Sequence, residues 1–313
     1  MITRLDEILD AVADHPVRRV AVAAAESESV LAAVKDAREK EVATPVLVGD
    51  EREVCSMAER VGLDLADVPL VDEPDEVKAA LRACDEVREG RADVVMKGHI
   101  HTDDVLRAVL DREHGLRSGH IMSHVFIMET TDLGRLTLVT DGAMNIAPDL
   151  VTKADIVLNA VYLARLLGVE RPKVCVLAAV ELVNPAMPAT LDAAALGKMG
   201  DRGQFPYCQI DGPFALDNAV SEAAARVKRI DSPVAGLGDI LLVPDIEAGN
   251  MLVKCFSFLG RGRVAGVVVG AAAPVVLTSR ADTAESKMYS IATAVFMANL
   301  RRDRRLKIGK VHY

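Results

Sequence analysis

Short apolar runs that alternate with longer helical segments constrain this chain more than any other feature. The runs at 20–24, 45–48, 68–71, 94–96, 124–128, 136–139, 173–178, 240–243 and 264–269 are aliphatic and often β-branched. Most are followed by ten or more residues with helical spacing, at 27–40, 75–88, 103–112, 148–167, 191–199, 218–228 and 283–299. Repeated strand-then-helix units build α/β layers around a largely parallel sheet. Aromatic residues are only 3% of the chain and Trp is absent, so the cores must be built from Val, Leu, Ile, Ala and Met. At 313 residues the chain exceeds what a single core usually supports, and two domains are expected.

The formal net charge of −9 argues against nucleic acid or an anionic membrane as the main partner, because both require a broad positive face. The five cysteines, Cys55, Cys84, Cys175, Cys208 and Cys255, form no C-x-x-C pair, which suggests a reduced setting without a zinc knuckle. The start, MITRLDEILD, has no basic-then-apolar leader, and the longest uncharged apolar run, 264–279, is too short and Gly-rich to span a bilayer. A soluble cytoplasmic protein is the expectation. The basic run from Arg301 to Lys307 reads as a solvated helix end.

The stretch VAGVVVGAAAPVVLTSRADTAESK, at 264–287, carries the strongest chemical signal. An apolar strand-like run opens into Thr278-Ser279-Arg280, and Asp282 three residues before Glu285 resembles a helix-capping box. Such a strand-to-helix turn lies at the carboxyl end of a strand, where α/β sheets bind ligands and helix N-termini attract anions. Arg280 adds a bidentate donor for phosphate or carboxylate. Surface-loop roles for Ser279 and Arg280, with Asp282 acting only as a cap, are the alternative on local pattern.

A second turn, KGHIHTDD at 97–104, follows the strand at 94–96, and Thr102 is a candidate cap for the next helix. His99 and His101 form a conceivable metal pair, but no matched third and fourth ligands accompany them, so no metal is expected. Arg107, about a turn into that helix, leans back toward the sheet edge and is positioned to share an anion with Arg280; a solvated helix arginine is the alternative. In DILLVPDIEAGN, at 239–250, Gly249-Asn250 implies either a close backbone approach by a ligand or a tight turn. IDGP at 210–213 reads as a simple turn. The glycines at 260, 262 and 266 precede a strand and have the wrong spacing for a dinucleotide fingerprint. No G-x-S-x-G elbow is present, so Ser279 reads as a hydrogen-bond donor and not as a covalent nucleophile.

Taken in order, GHIHTDDVLRAVLD, VTDGAMNIAPDL, AVELVNPAMPAT, IDGPFALDNA, SPVAGLGDILLVPDIEAGNM and PVVLTSRADTAESK resemble the phosphate acetyl/butyryltransferase family along essentially the whole chain. The resemblance implies reversible transfer of an acyl group between CoA and phosphate by direct transfer in a ternary complex, with butyryl or another short chain as the expected group. Acetyl transfer and a non-catalytic CoA- or acyl-phosphate-sensing module are the alternatives. It implies an isocitrate/isopropylmalate-dehydrogenase-like α/β fold of two domains with a cleft between them, one domain of residues 1–117 plus 267–313 and the other of 118–266. It further implies a homodimer or larger assembly and no cofactor, CoA and acyl-CoA being substrates. By the same resemblance, Ser279, Arg280 and Arg107 fall on the family's reacting centre. The carboxylate that acetyltransferases carry seven residues after the serine falls on Ser286, which leaves Asp282 and Glu285 as candidate bases. His101, Thr102, Thr278 and Asn250 complete the expected set as substrate contacts, and Arg88 is a candidate for a further phosphate-binding arginine.

Overall fold

The computed structural model describes residues 1–130, 133–302 and 307–312, and all element assignments below refer to these. Part of the basic run 301–307 lies outside the described residues. The chain folds into two compact units: Leu5–His120 with Ala265–Arg304 form an enclosing unit, and Ile121–Val264 form the body of an inserted one.

The enclosing unit opens with α1 (Leu5–Ala13), β1 (Arg18–Ala23), α2 (Glu28–Glu39), β2 (Ala43–Gly49), α3 (Glu51–Val61), β3 (Leu70–Asp72), α4 (Glu76–Arg88), β4 (Val94–Lys97) and α5 (Thr102–Leu110). Strands β1, β2, β3 and β4 pair in parallel, with β1 between β2 and β4. The helix starts follow capping chemistry: Asp50 accepts the amides of Arg52 and Glu53, and Asp75 those of Val77 and Lys78, both with β-region backbone at the cap. Parallel strands covered by helices are buried on both faces, which is why 20–23 of β1 and 94–96 of β4 read as continuous apolar runs.

The inserted unit contains β5 (Ser123–Glu129), β6 (Leu136–Thr140), α6 (Leu150–Leu166), β7 (Lys173–Leu177), α7 (Pro188–Asp201), β8 (Gln209–Phe214), α8 (Leu216–Val220), α9 (Glu222–Val227), β9 (Ile240–Leu242) and α10 (Ile246–Lys254), ending in a π-helical turn at Cys255–Leu259. Its sheet runs β5-β6-β9-β7-β8, antiparallel between β5 and β6 and parallel elsewhere. Phe214, Val139, Leu241 and Cys175 lie in its core. The 210–213 segment, read from sequence as a turn, belongs to the edge strand β8, where Pro213 removes no ladder donor that an inner neighbour needs. The expected helix at 218–228 is two helices, because Ser221 adopts extended backbone and caps the second by accepting the amide of Ala224.

The chain then returns to the enclosing unit as β10 (Arg263–Val269), β11 (Val275–Val276) and α11 (Ala284–Arg302). The run 264–277 is therefore two antiparallel strands and not one, turned by the left-handed Gly270 (φ 98) and ended by Pro274. The reversal sets β11 parallel to β4, with Val275 opposite Val95 and Val276 opposite Met96.

The first and last described segments each bond to the inserted unit. The Ile2 amide donates to Leu167 O at 2.8 Å, and near the other end the His312 amide donates to Gln204 O at 3.1 Å; Leu167 and Gln204 are residues of the inserted unit.

Candidate active site

In the enclosing unit, chain order and strand order diverge between β1 and β4: the chain winds outward through β2 and β3, then crosses back to lay β4 on the other side of β1. Ligands of open α/β sheets bind at such a reversal, beyond the carboxyl ends of the strands. Two turns leave the sheet at this edge. One runs from Lys97 to His101 after β4, and the other from Leu277 to Thr283 after β11.

The first turn is held close to β1. The Gly98 amide donates to Ala23 O at 2.8 Å, and the His99 amide to Ala24 O at 2.6 Å. A Cβ on Gly98 would stand 2.0 Å from Ala24 O, so only glycine allows this approach. His101 takes the N-cap position of α5 with extended backbone and makes no side-chain capping bond. Thr102 is the first helical residue and not the cap, a correction to the sequence reading. His101 is exposed and Thr102 half-buried.

In the second turn, the Ser279 amide donates to Asp282 Oδ2 at 2.7 Å, the Asp282 amide returns to Ser279 O at 3.2 Å, and the Ala281 amide reaches Ser279 Oγ at 3.3 Å. Thr278 is buried, Ser279 half-buried and Arg280 exposed. The helix cap is Thr283, whose Oγ1 accepts the Ser286 amide at 3.1 Å, so Asp282 is not spent as a cap. Glu285 is exposed and accepts from the Tyr289 hydroxyl, which also donates to Asp6 of α1. Ser286 contributes only a hydroxyl, 3.2 Å from Thr283 Oγ1.

Two lysines that the sequence reading did not single out stand beside this turn. Lys287 is 1% exposed, and its ammonium donates to the carbonyl of Asp282, fastening the turn to α11. Lys97, the last residue of β4, is 4% exposed. Burial, and then the charges of Arg280 and Lys287, hold its ammonium below the usual lysine range, with Asp282 opposing. Burial likewise lowers Lys287 against the pull of Asp282.

Arg107 is on the outward face of α5, three-quarters exposed, with its guanidinium 2.6 Å from Asp104 Oδ1. That geometry does not yet join it to Arg280. Arg88 pairs with Asp85 at the C-terminal end of α4. Because α4 leads directly into β4, this end faces the amino edge of the sheet, away from both turns, and Arg88 is removed from the candidate set.

Asn250 belongs to α10 of the inserted unit, where its Nδ2 donates to Gly142 O at 3.3 Å. There Gly249 lies within a helix and not in a turn, and a Cβ on it would stand 2.7 Å from the Gly142 Cα, so two backbones touch. The adjoining Asp141 carboxylate is buried, and burial raises it above the usual range although it accepts the amides of Ala143 and Met144 and the Asn145 side chain. Among the described residues, no three His, Cys, Asp or Glu gather to hold a metal ion.

The model of the family "Phosphate acetyl/butaryl transferase" matches residues 4–81 and 73–295. The chain belongs to this family of phosphate acyltransferases. It is 49% identical over 298 residues to the phosphate butyryltransferase of Clostridium acetobutylicum, covering 95% of this chain and 99% of that one. It is 46% identical over 280 residues to the phosphate acetyltransferase of Thermotoga maritima, covering 89% and 95%. A solved structure of a branched-chain phosphotransacylase from Enterococcus faecalis V583 superposes with a TM-score of 0.78 at 33% identity, over 90% of this chain and 99% of that one. The turns of the enclosing unit bring arginine, lysine and hydroxyl groups to one sheet edge.

Proposed function

We propose that this phosphate acyltransferase catalyses acyl-CoA + phosphate ⇌ acyl phosphate + CoA with butyryl or a similarly short acyl group. One observation carries the reading: the Ser279–Arg280 turn stands beside buried Lys97 at the carboxyl edge of the sheet, an anion-binding setting at the end of parallel strands. Likeness to the clostridial butyryltransferase supports the acyl length. The Thermotoga maritima relative keeps acetyl transfer as the second reading.

In the forward direction a phosphate oxygen attacks the thioester carbonyl carbon. The C–O bond forms as the C–S bond breaks, and CoA leaves as a thiolate that takes a proton from solvent or a nearby acid. Arg280 grips the phosphate with its two-pronged donor face, and Ser279 Oγ donates to the carbonyl oxygen or the departing sulfur. Arg107 exchanges its exposed, weak pairing with Asp104 for the incoming dianion. In reverse a carboxylate assists loss of the thiol proton, whose ordinary pKa of about 8.5 demands only modest help. Asp282 is better placed for this than Glu285, because it touches the Ser279 amide while Glu285 is drawn to Tyr289. His101, Thr102 and Thr278 are the substrate contacts of this reading at the same edge.

The further parts of the reading are a two-domain enzyme, with 1–117 plus 267–313 enclosing 118–266, that works in the cytoplasm as a homodimer or larger assembly. It uses no metal or cofactor and binds neither nucleic acid nor membrane. Among the described residues no helix is long and apolar enough to cross a membrane.

Thiol release from acetyl-, propionyl-, butyryl-, isobutyryl- and hexanoyl-CoA, with and without phosphate, tests the function. The highest kcat/KM is expected for a four-carbon chain, with adjacent lengths lower by roughly 10- to 200-fold per methylene. Arg280→Ala should retain its fold and lose about 100-fold or more of the rate. Release that does not depend on phosphate, or near-normal turnover by that variant, would refute the reading.

A further inference from the structure

The ammonium of Lys97 lacks an adequate partner. Its side chain is 4% exposed, and its hydrogen bond is to Gly98 O, the carbonyl of the next residue, at 3.5 Å. That is the outer limit of a hydrogen bond. A buried cation left in this state is costly, so such groups are normally paired. Lys287 shows the contrast: equally buried, it is satisfied by the carbonyl of Asp282.

The charges around Lys97 indicate what is missing. Arg280 and Asp282 face it from the turn and Lys287 from α11. Three cations against one carboxylate leave two positive charges in excess, the charge of a phosphate dianion. Lysine presents a compact point charge with three donors on a flexible stem, which suits a small anion more than an extended one. The location agrees, because Lys97 ends β4 directly opposite the strand that delivers Ser279 and Arg280.

We propose that Lys97 is a further substrate-binding residue, whose ammonium contacts the reacting phosphate from the floor of the Ser279–Arg280 turn. This rests on the acyl-transfer reading above. Binding of the dianion gives the buried ammonium its counter-charge and holds the phosphate against Arg280, ready for attack on the thioester.

The test is a steady-state thiol-release assay on the full-length enzyme, varying inorganic phosphate and butyryl-CoA separately, for wild type, Lys97→Met and Lys97→Arg. A charge-assisted hydrogen bond is worth about 1.5–3 kcal/mol, so Lys97→Met should raise the phosphate KM roughly 10- to 100-fold. The butyryl-CoA KM should stay within about two-fold, and Lys97→Arg should recover part of the loss. The wild-type phosphate KM should also rise as pH climbs through the lowered lysine range, more steeply than that of the permanently charged Lys97→Arg, in which Lys287 and the phosphate itself still titrate. This comparison decides the matter if Lys97→Met does not fold. An unchanged phosphate KM in Lys97→Met, an effect on the butyryl-CoA KM in its place, or the same pH dependence in wild type and Lys97→Arg would overturn the assignment. Failure of wild type to release thiol in a phosphate-dependent way would instead overturn the reading on which it rests.

Discussion

Gly98 is the residue whose replacement should do most damage for the fewest added atoms. In Gly98→Ala the new methyl carbon would lie 2.0 Å from Ala24 O, 2.6 Å from Ala23 O and 2.8 Å from the Ala24 carbonyl carbon. All three are backbone atoms of β1 and its exit, so no side chain can swing aside. Relief requires β4 and β1 to separate by about 1 Å at this edge, an overpacking strain of about 1–3 kcal/mol. Separation also stretches the bonds from the Gly98 amide to Ala23 O and from the His99 amide to Ala24 O, each contributing about 1 kcal/mol. The total is about 3–5 kcal/mol, or on the order of 10 °C in Tm for a unit of this size. Gly90→Ala is the matched control: its methyl would meet nothing within 4 Å, but its φ of +76° imposes a left-handed cost of about 1–2 kcal/mol. Urea and thermal unfolding of both variants, followed by circular dichroism, measure the difference. Thiol release should fall further in Gly98→Ala than in Gly90→Ala, because His101 and the start of α5 shift with the turn. If Gly98→Ala unfolds no more easily than Gly90→Ala, the close β1–β4 approach is refuted.

His124, fully buried on β5, has no hydrogen-bond partner on either ring nitrogen among the described residues, and burial pushes its pKa down to about 3. The unfolded chain titrates near 6.5, so this histidine's contribution is fully present above that pH and is lost as pH falls from about 6.5 toward 3, a span of several kcal/mol at most. His124→Leu should therefore match or exceed wild-type stability at pH 7.5 and show a shallower fall in urea midpoint between pH 6.5 and 4.5; parallel pH curves would refute this. Thr283→Ala removes the cap of α11 and should cost about 1 kcal/mol in unfolding free energy while raising the phosphate KM, and Thr283→Ser should restore both. A cost confined to stability would mean that the cap does not steady the Ser279–Asp282 turn.

The α/β class was legible because strand burial on both faces leaves continuous aliphatic runs, as at 20–23 of β1 and 94–96 of β4. Turns were legible where their residues are polar, which is how Ser279 and Arg280 stood out. They were illegible where the turn is itself apolar: Gly270, three alanines and Pro274 reverse the chain without any change in hydropathy, so β10 and β11 read as one strand. Helix α10 was hidden by Gly249 and Asn250 at its centre, a pair that looks like a breaker until Gly142 is seen against it. Lys97 was hidden because one charge at a strand end reads as the end of burial, whereas here it remains inside. Nothing local could bring it together with Arg280, since their adjacency depends on β4 pairing with a strand near the other end of the chain.

That long-range pairing sets an order of assembly. In a nascent chain emerging N-terminus first, the inserted unit has all of its strands by β9, and β4 still lacks its neighbour β11. Until residues 275–276 are made, one edge of β4 is open, an aliphatic strand with unmet backbone donors and acceptors next to a buried lysine. The enclosing unit thus begins first and finishes last. The polypeptide that closes the edge also delivers Ser279 and Arg280, so a prematurely terminated product ending before β11 carries neither a sealed sheet nor the reactive turn.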